Sequence, residues 1–199
     1  MLTLTYALVA LSVEQKKVQG RLLELQQGLQ RERSHINVGG RTELESLLAD
    51  FVLLDDACRS RNIELYVLPA IRSATQEADA LLADLETMTS IGRITLRNLR
   101  TKLRNVGQHG AYDFNDFLDC LESYCQNLMK RLTTEELQIL PLAQRVISND
   151  EWFDIAAKFI SHESERRGNK DFDAEAMEML PTHSINRIYT GSNTSPTVN

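Results

Sequence analysis

Little in this sequence points to the common kinds of binding or catalysis. Cysteine occurs three times in 199 residues, as Cys58, Cys120 and Cys125. That is too few, and too unevenly spaced, for a disulfide framework or a zinc knuckle. Buried, reduced thiols in a cytoplasmic protein are the expectation. Positive charge is in deficit, with 22 Lys and Arg against 28 Asp and Glu and a net charge of −6. That balance argues against a dedicated nucleic-acid binder, which should show a basic face and a high pI. Long apolar runs are also missing. The N-terminal "MLTLTYALVALSVEQKK" has no Lys or Arg ahead of its apolar residues and passes at once into a charged pattern. A signal peptide wants a basic n-region and a membrane span roughly 20 apolar residues, so neither export nor membrane contact is expected. No glycine-rich phosphate loop, nucleophile elbow or Cys/His dyad can be found, and an enzyme is not expected. Histidine is scarce, at four residues.

What is present is helical periodicity, in a chain whose 42% hydrophobic and 25% charged residues are those of an ordinary globular protein. Leu4, Ala7, Leu8, Leu11, Val18, Leu22, Leu25 and Leu29 fall on one helical stripe. "RERSHINVGGR" interrupts it. Thr42 and Glu45 then read as a capping box opening a second helix that runs to Pro69. A third is predicted from Ser73 to Val106, ended by "GQHGAYD", and a fourth from Asp113 to Ile147. Ser148 and Glu151 form a second capping box for a short fifth helix reaching Arg167. Pro69 and Pro141 sit inside helical runs and should kink or end them. Residues 166–199 read as a polar, flexible tail with one apolar patch from Phe172 to Leu180. The fold class is therefore all-α: an antiparallel up-down-up-down four-helix bundle over residues 1–165, with a short fifth helix and a tail.

The two halves echo each other. Pro141 follows Pro69 by 141 − 69 = 72 residues, and at that offset Leu68 matches Leu140, Leu65 matches Leu137, Glu64 matches Glu136 and Arg59 matches Arg131. Glu14 matches Glu86, and Gly20-Arg21 matches Gly92-Arg93. Leucine matches are cheap in amphipathic helices; Pro, Gly-Arg and Arg at one register are not.

The repeat resembles the hemerythrin-like (HHE) family of antiparallel four-helix bundles. "EELQILPLAQRVISNDEWFDIAAKF", from Glu135 to Phe159, is similar to the family's fourth helix and the short helix after it. "RNIELYVLPAI" resembles the second helix, and "VEQKKVQGRLLELQ", less closely, the first. The resemblance implies a di-iron centre held between the helices by histidines and carboxylates, ligands suited to iron. Residue by residue, this chain departs from it. Where helices one and three of the family carry His after Glu, it has Gln15 and Thr87. The ligand positions of helix two hold Arg59, Ser60 and Ile63, and those of helix four hold Arg131 and Glu135. Arg and Ile cannot ligate a metal and Gln and Thr do so poorly, so Glu135 alone keeps a ligand type. His35 and His109 fall in predicted loops, His162 near the end of the fifth helix and His183 in the tail.

The expectation is a bundle that has lost its metal site, binds no cofactor, and acts as an interaction or regulatory module. Arg59 and Arg131, at equivalent positions, either pair inside the bundle with Glu64, Glu135 or Glu136, or run their stems out to solvent. The rival reading keeps iron on an unorthodox set of Glu64, Glu135 and Glu136, for oxygen, nitric oxide or redox chemistry. A bundle core holding haem or a small apolar ligand ranks behind both, for want of an axial His or Cys. The partner is an unidentified protein; a homodimer stays open. The candidate surfaces for partner contact are the fifth helix, with Trp152 and Phe153, and the tail segment "FDAEAMEML"; the plainer expectation is that Trp152 and Phe153 cap the bundle end. Arg97, Arg100 and Arg104, with Lys102 on another part of the surface, make a weaker signal: such a charged face is usually only a solvated one, though it could attract an acidic partner.

Overall fold

The computed structural model of the chain describes the backbone over residues 2–34, 41–105 and 114–178. All regular structure there is helical, and no strand occurs among the described residues. His35, His109 and His183 lie outside them. The chain divides into two units, Met1–Ala157 and Lys158–Asn199.

In the first unit, helix α1 (Leu2–Ser34) buries Ala7, Leu11, Gln15, Val18, Leu22, Leu25 and Leu29. Steps of three and four keep these on one face. Leu4 and Leu8, expected on the same stripe, are only half-buried. Helix α2 (Arg41–Arg59) starts one residue ahead of the predicted Thr42 cap and buries Leu44, Leu48, Phe51, Leu54 and Cys58. Helices α4 (Asp79–Asn105) and α5 (Phe114–Thr134) complete the main set. α1 packs against α2 and α5, and α4 packs against the same two. Leu22, Phe51, Leu99 and Leu121 belong to one apolar cluster that draws on all four. Gly92 of α4 lies against α5: a Cβ there would stand 3.1 Å from the Tyr124 ring. That ring meets Phe51 edge-on, with centroids 5.7 Å apart.

The prolines do not end their helices. Pro69 has no N–H to return, and in an α-helix its ring would strike the Leu65 carbonyl. The chain widens instead: the Leu68 N–H reaches five residues back to the Ile63 carbonyl, making a π turn over Ile63–Val67. Leu140 N–H likewise bonds the Glu135 carbonyl, giving a second π turn over Glu135–Ile139. The two turns are 135 − 63 = 72 residues apart, the offset read from the prolines. The helices after them, α3 (Leu68–Ala74) and α6 (Leu140–Val146), keep that offset and pack together.

The halves differ just before the π turns. α5 enters its turn without a break, whereas α2 stops at Arg59 and Ser60 forms a turn. The predicted unbroken helix to Pro69 is thus corrected. So is the predicted start of the third helix at Ser73: Thr75 is extended (φ −158°, ψ 146°) and α4 begins only at Asp79. The Thr75 hydroxyl accepts the Glu77 N–H at 3.1 Å, the local side-chain bond with which threonine competes against a helix. The second capping box forms as predicted, with Glu151 accepting the Ser148 N–H at 3.0 Å and Ser148 Oγ accepting the Glu151 N–H at 3.3 Å. It opens α7 (Asn149–Glu178). Trp152 is buried at its start while Phe153 is 63% exposed, so of the expected aromatic pair only the tryptophan packs inward. α7 continues through residues 166–178, where the composition suggests a tail; the Ala- and Glu-rich "DAEAME" has high helical propensity.

Candidate functional site

Beyond the apolar cluster, the interior of the first unit holds a charged layer. Arg61 and Arg131 are 4% and 3% exposed and Glu135 1%; Glu64 is half-buried. The break after α2 lets Arg61 turn inward, its Nε donating to the Cys58 carbonyl at 3.1 Å. Its two terminal nitrogens then donate to the two oxygens of Glu135, each at 2.8 Å. This is the paired fork geometry in which guanidinium and carboxylate bind most strongly. Arg61 also reaches Glu64 at 3.2 Å, and Glu64 accepts from Arg131. Arg131 Nε lies 3.1 Å from Glu135 but is misaligned for a hydrogen bond. Two cations and two anions thus close a ring with no net charge, the condition for burying such groups at all.

The surrounding polar contacts extend the layer toward α1. Gln15 is buried and donates to the Leu132 carbonyl at 2.9 Å and, more weakly, to Glu136 at 3.5 Å. Glu14 accepts both the backbone and side-chain N–H groups of Asn62 at 2.9 Å, pinning the turn that presents Arg61. On the other side, Tyr124 donates to Asp55 at 3.3 Å.

Several residues singled out from the sequence fall elsewhere, and each has a physical reason. Arg59 is not buried opposite Arg131: its side chain is 42% exposed, and it pairs with Asp55 and Asp56 on its own helix. On α2 Arg59 falls off the buried stripe of Phe51, Leu54 and Cys58, and Arg61, beyond the turn at Ser60, takes the inner position. Ser60 is half-buried and caps the Ala57 carbonyl, while Ile63 is buried as an apolar residue. Thr87 is exposed, its hydroxyl bound to the Ala83 carbonyl one turn back. Of the alternative set, Glu64 and Glu135 do come together, but around arginines; Glu136 is exposed. His162 lies on α7, in the second unit.

The site's chemistry is set by these contacts. Arg61 is held firmly protonated: burial works against its charge, but Glu135 outweighs it. Glu64 is pushed above the usual carboxylate range by burial, against the pull of Arg131. Burial also raises the Cys58 thiol to about 11, despite the nearby arginines. Cys125 is raised to about 12 by burial, and Tyr124 is raised by burial and Asp55. A thiol so raised stays protonated at neutral pH and is a poor nucleophile. The layer does not fit iron. Both oxygens of Glu135 and Oε1 of Glu64 already accept from guanidinium N–H groups, and a guanidinium has no lone pair to give a metal. Among the described residues no group of three or more His, Cys, Asp and Glu is arranged to hold a metal ion, and no described helix is long and apolar enough to cross a membrane.

No protein-family model, curated protein or solved structure matches this chain.

Proposed function

We propose that the first unit is an antiparallel, up-down-up-down four-helix bundle of hemerythrin-like type that has exchanged its metal centre for arginine, and that it acts as a non-catalytic interaction or regulatory module inside the cell. The observation that carries this reading is the fork of Arg61 on Glu135, beside Arg131 on Glu64. Arg131 and Glu135 stand at positions the resemblance assigns to metal ligands, and the two guanidiniums supply the positive charge a metal would otherwise bring. Exchanging ligands for arginine leaves a layer that is charge-balanced but has no open coordination position, so the bundle keeps its interior and gives up its chemistry.

The test is elemental mass spectrometry on untagged, full-length protein from iron-supplemented cells. The expected result is iron and zinc far below one atom per chain. Two metal atoms per chain would overturn the reading and favour iron on Glu64, Glu135 and Glu136.

A further inference from the structure

An interaction module needs a surface, and one face of α4 stands apart from the rest of the first unit. Between Glu86 and Asp113 the chain has no acidic residue. Arg93, Arg97, Arg100 and Arg104 succeed one another at steps of four, three and four, one stripe along the helix. All four are exposed, and none makes an ion pair among the described residues. Most other described arginines of the first unit are paired, although Arg31 on α1 is exposed and, among the described residues, unpaired like the stripe. Arg21 pairs with Glu24 and Asp50, Arg33 with Asp119 and Glu122, Arg72 with Glu86 and Arg145 with Glu77. In a chain of net charge −6, which offers carboxylates freely, four consecutive unpaired arginines are out of keeping. Like charges three and four residues apart on a helix repel, so the stripe works against the free fold.

The stripe borders a groove between α2 and α4. Leu48, Val52 and Leu103 form its apolar part, with Glu45 and Ala49 on the α2 side and Arg100 and Arg104 on the other. Its volume is about 200 Å³, below the roughly 300 Å³ at which small-molecule pockets begin and suited to a side chain or two of a docked segment. Leu53, next along α2, is 66% exposed.

We infer that this groove is a docking site for an acidic amphipathic peptide segment of a partner protein. The partner's carboxylates would pair with Arg97, Arg100 and Arg104 while an apolar side chain rests against Val52 and the arginine stems, over the buried Leu48 and Leu103. Arginine is the cation suited to that task, because its fork pairs with carboxylates and its stem covers apolar surface. A nucleic acid fits less well: its phosphates would meet the acidic remainder of the chain, and an apolar floor gives a phosphate backbone nothing. The inference rests on the reading of the chain as an interaction module.

The test is selection of a displayed random-peptide library on the full-length chain, followed by anisotropy measurements with the selected peptides. The expected pool is rich in Asp and Glu flanking apolar residues, and its members lose about tenfold or more in affinity against R100E/R104E. An Ala49→Trp variant, which blocks the groove and keeps the charges, should weaken them as well. Circular dichroism melts of both variants confirm that they fold, since all three positions are exposed. A pool without acidic enrichment, binding indifferent to either variant, or binding only to duplex DNA or phosphatidylglycerol vesicles would overturn the inference. A chain that carries two metal atoms yet selects acidic peptides would overturn the module reading and leave the docking site standing.

Discussion

Arg59 and Arg131 share a place in the repeat and lead opposite lives, and the difference can be measured. Arg131 is buried against Glu64 and Glu135, so Arg131→Leu strands carboxylates in the interior and should cost about 3 kcal/mol or more. Arg59 is half in solvent beside Asp55 and Asp56, and Arg59→Leu should cost less than about 1 kcal/mol. Urea denaturation of the two variants checks the contrast; equal costs would place both side chains in the same environment. Glu64 allows a second test. Its folded-state carboxyl titrates above the usual range because of burial. The stability it contributes is therefore fully present below that range and lost as pH rises through the raised value. The stability of the natural chain relative to Glu64→Gln should accordingly fall as pH is raised from about 4 to about 8. A rise over that interval would contradict the assignment. At this scale the sequence was partly legible. Arg131 and Glu135 continue the buried α5 stripe of Leu121, Leu128 and Leu132, and Gln15 fills the gap between Leu11 and Val18. Arg61 carried the same signal, three residues after Cys58 on the buried stripe of Phe51, Leu54 and Cys58; what periodicity did not announce is the turn at Ser60 that interrupts the helix there.

The helices themselves were easier to read than their ends. Stripes of leucine at three- and four-residue steps mark α1, α2, α4 and α5, since burying one face is what makes a long helix stable. The π turns were half legible, because each proline announced a disturbance and only the backbone shows that it is absorbed by widening rather than by a stop. The start of α4 was hidden, as "SATQEADA" carries helix-forming residues throughout and Thr75 breaks the run through one local hydrogen bond. Gly20 and Gly92, matched in the repeat, also part ways. Gly20 has nothing within 4 Å of a Cβ position, whereas Gly92 faces the Tyr124 ring at 3.1 Å. Gly20→Ala should therefore raise stability by about 0.8–1 kcal/mol, the helical advantage of alanine. Gly92→Ala should forfeit that gain, because Tyr124 is held by Phe51 and Asp55 and has little room to withdraw. Thermal melts of the two variants would show it, and equal gains would mean that α4 and α5 do not meet as described.

On the scale of the whole first unit, the charged layer joins the two halves of the repeat. Arg61 and Glu64 come from the first, Arg131 and Glu135 from the second, and the pairs Arg61–Glu135 and Arg131–Glu64 both cross between them. A buried layer of this kind adds little net stability over apolar packing, but it punishes the loss of any one member. The most direct test of the account is a double-mutant cycle on Arg61→Met and Glu135→Leu, followed by urea denaturation at neutral pH. Each single change leaves a buried charge without its partner and should cost about 3–5 kcal/mol, while the double variant restores neutrality and should return close to the natural stability. Single variants that cost less than about 1 kcal/mol each, or costs that simply add in the double variant, would contradict a buried, ion-paired layer.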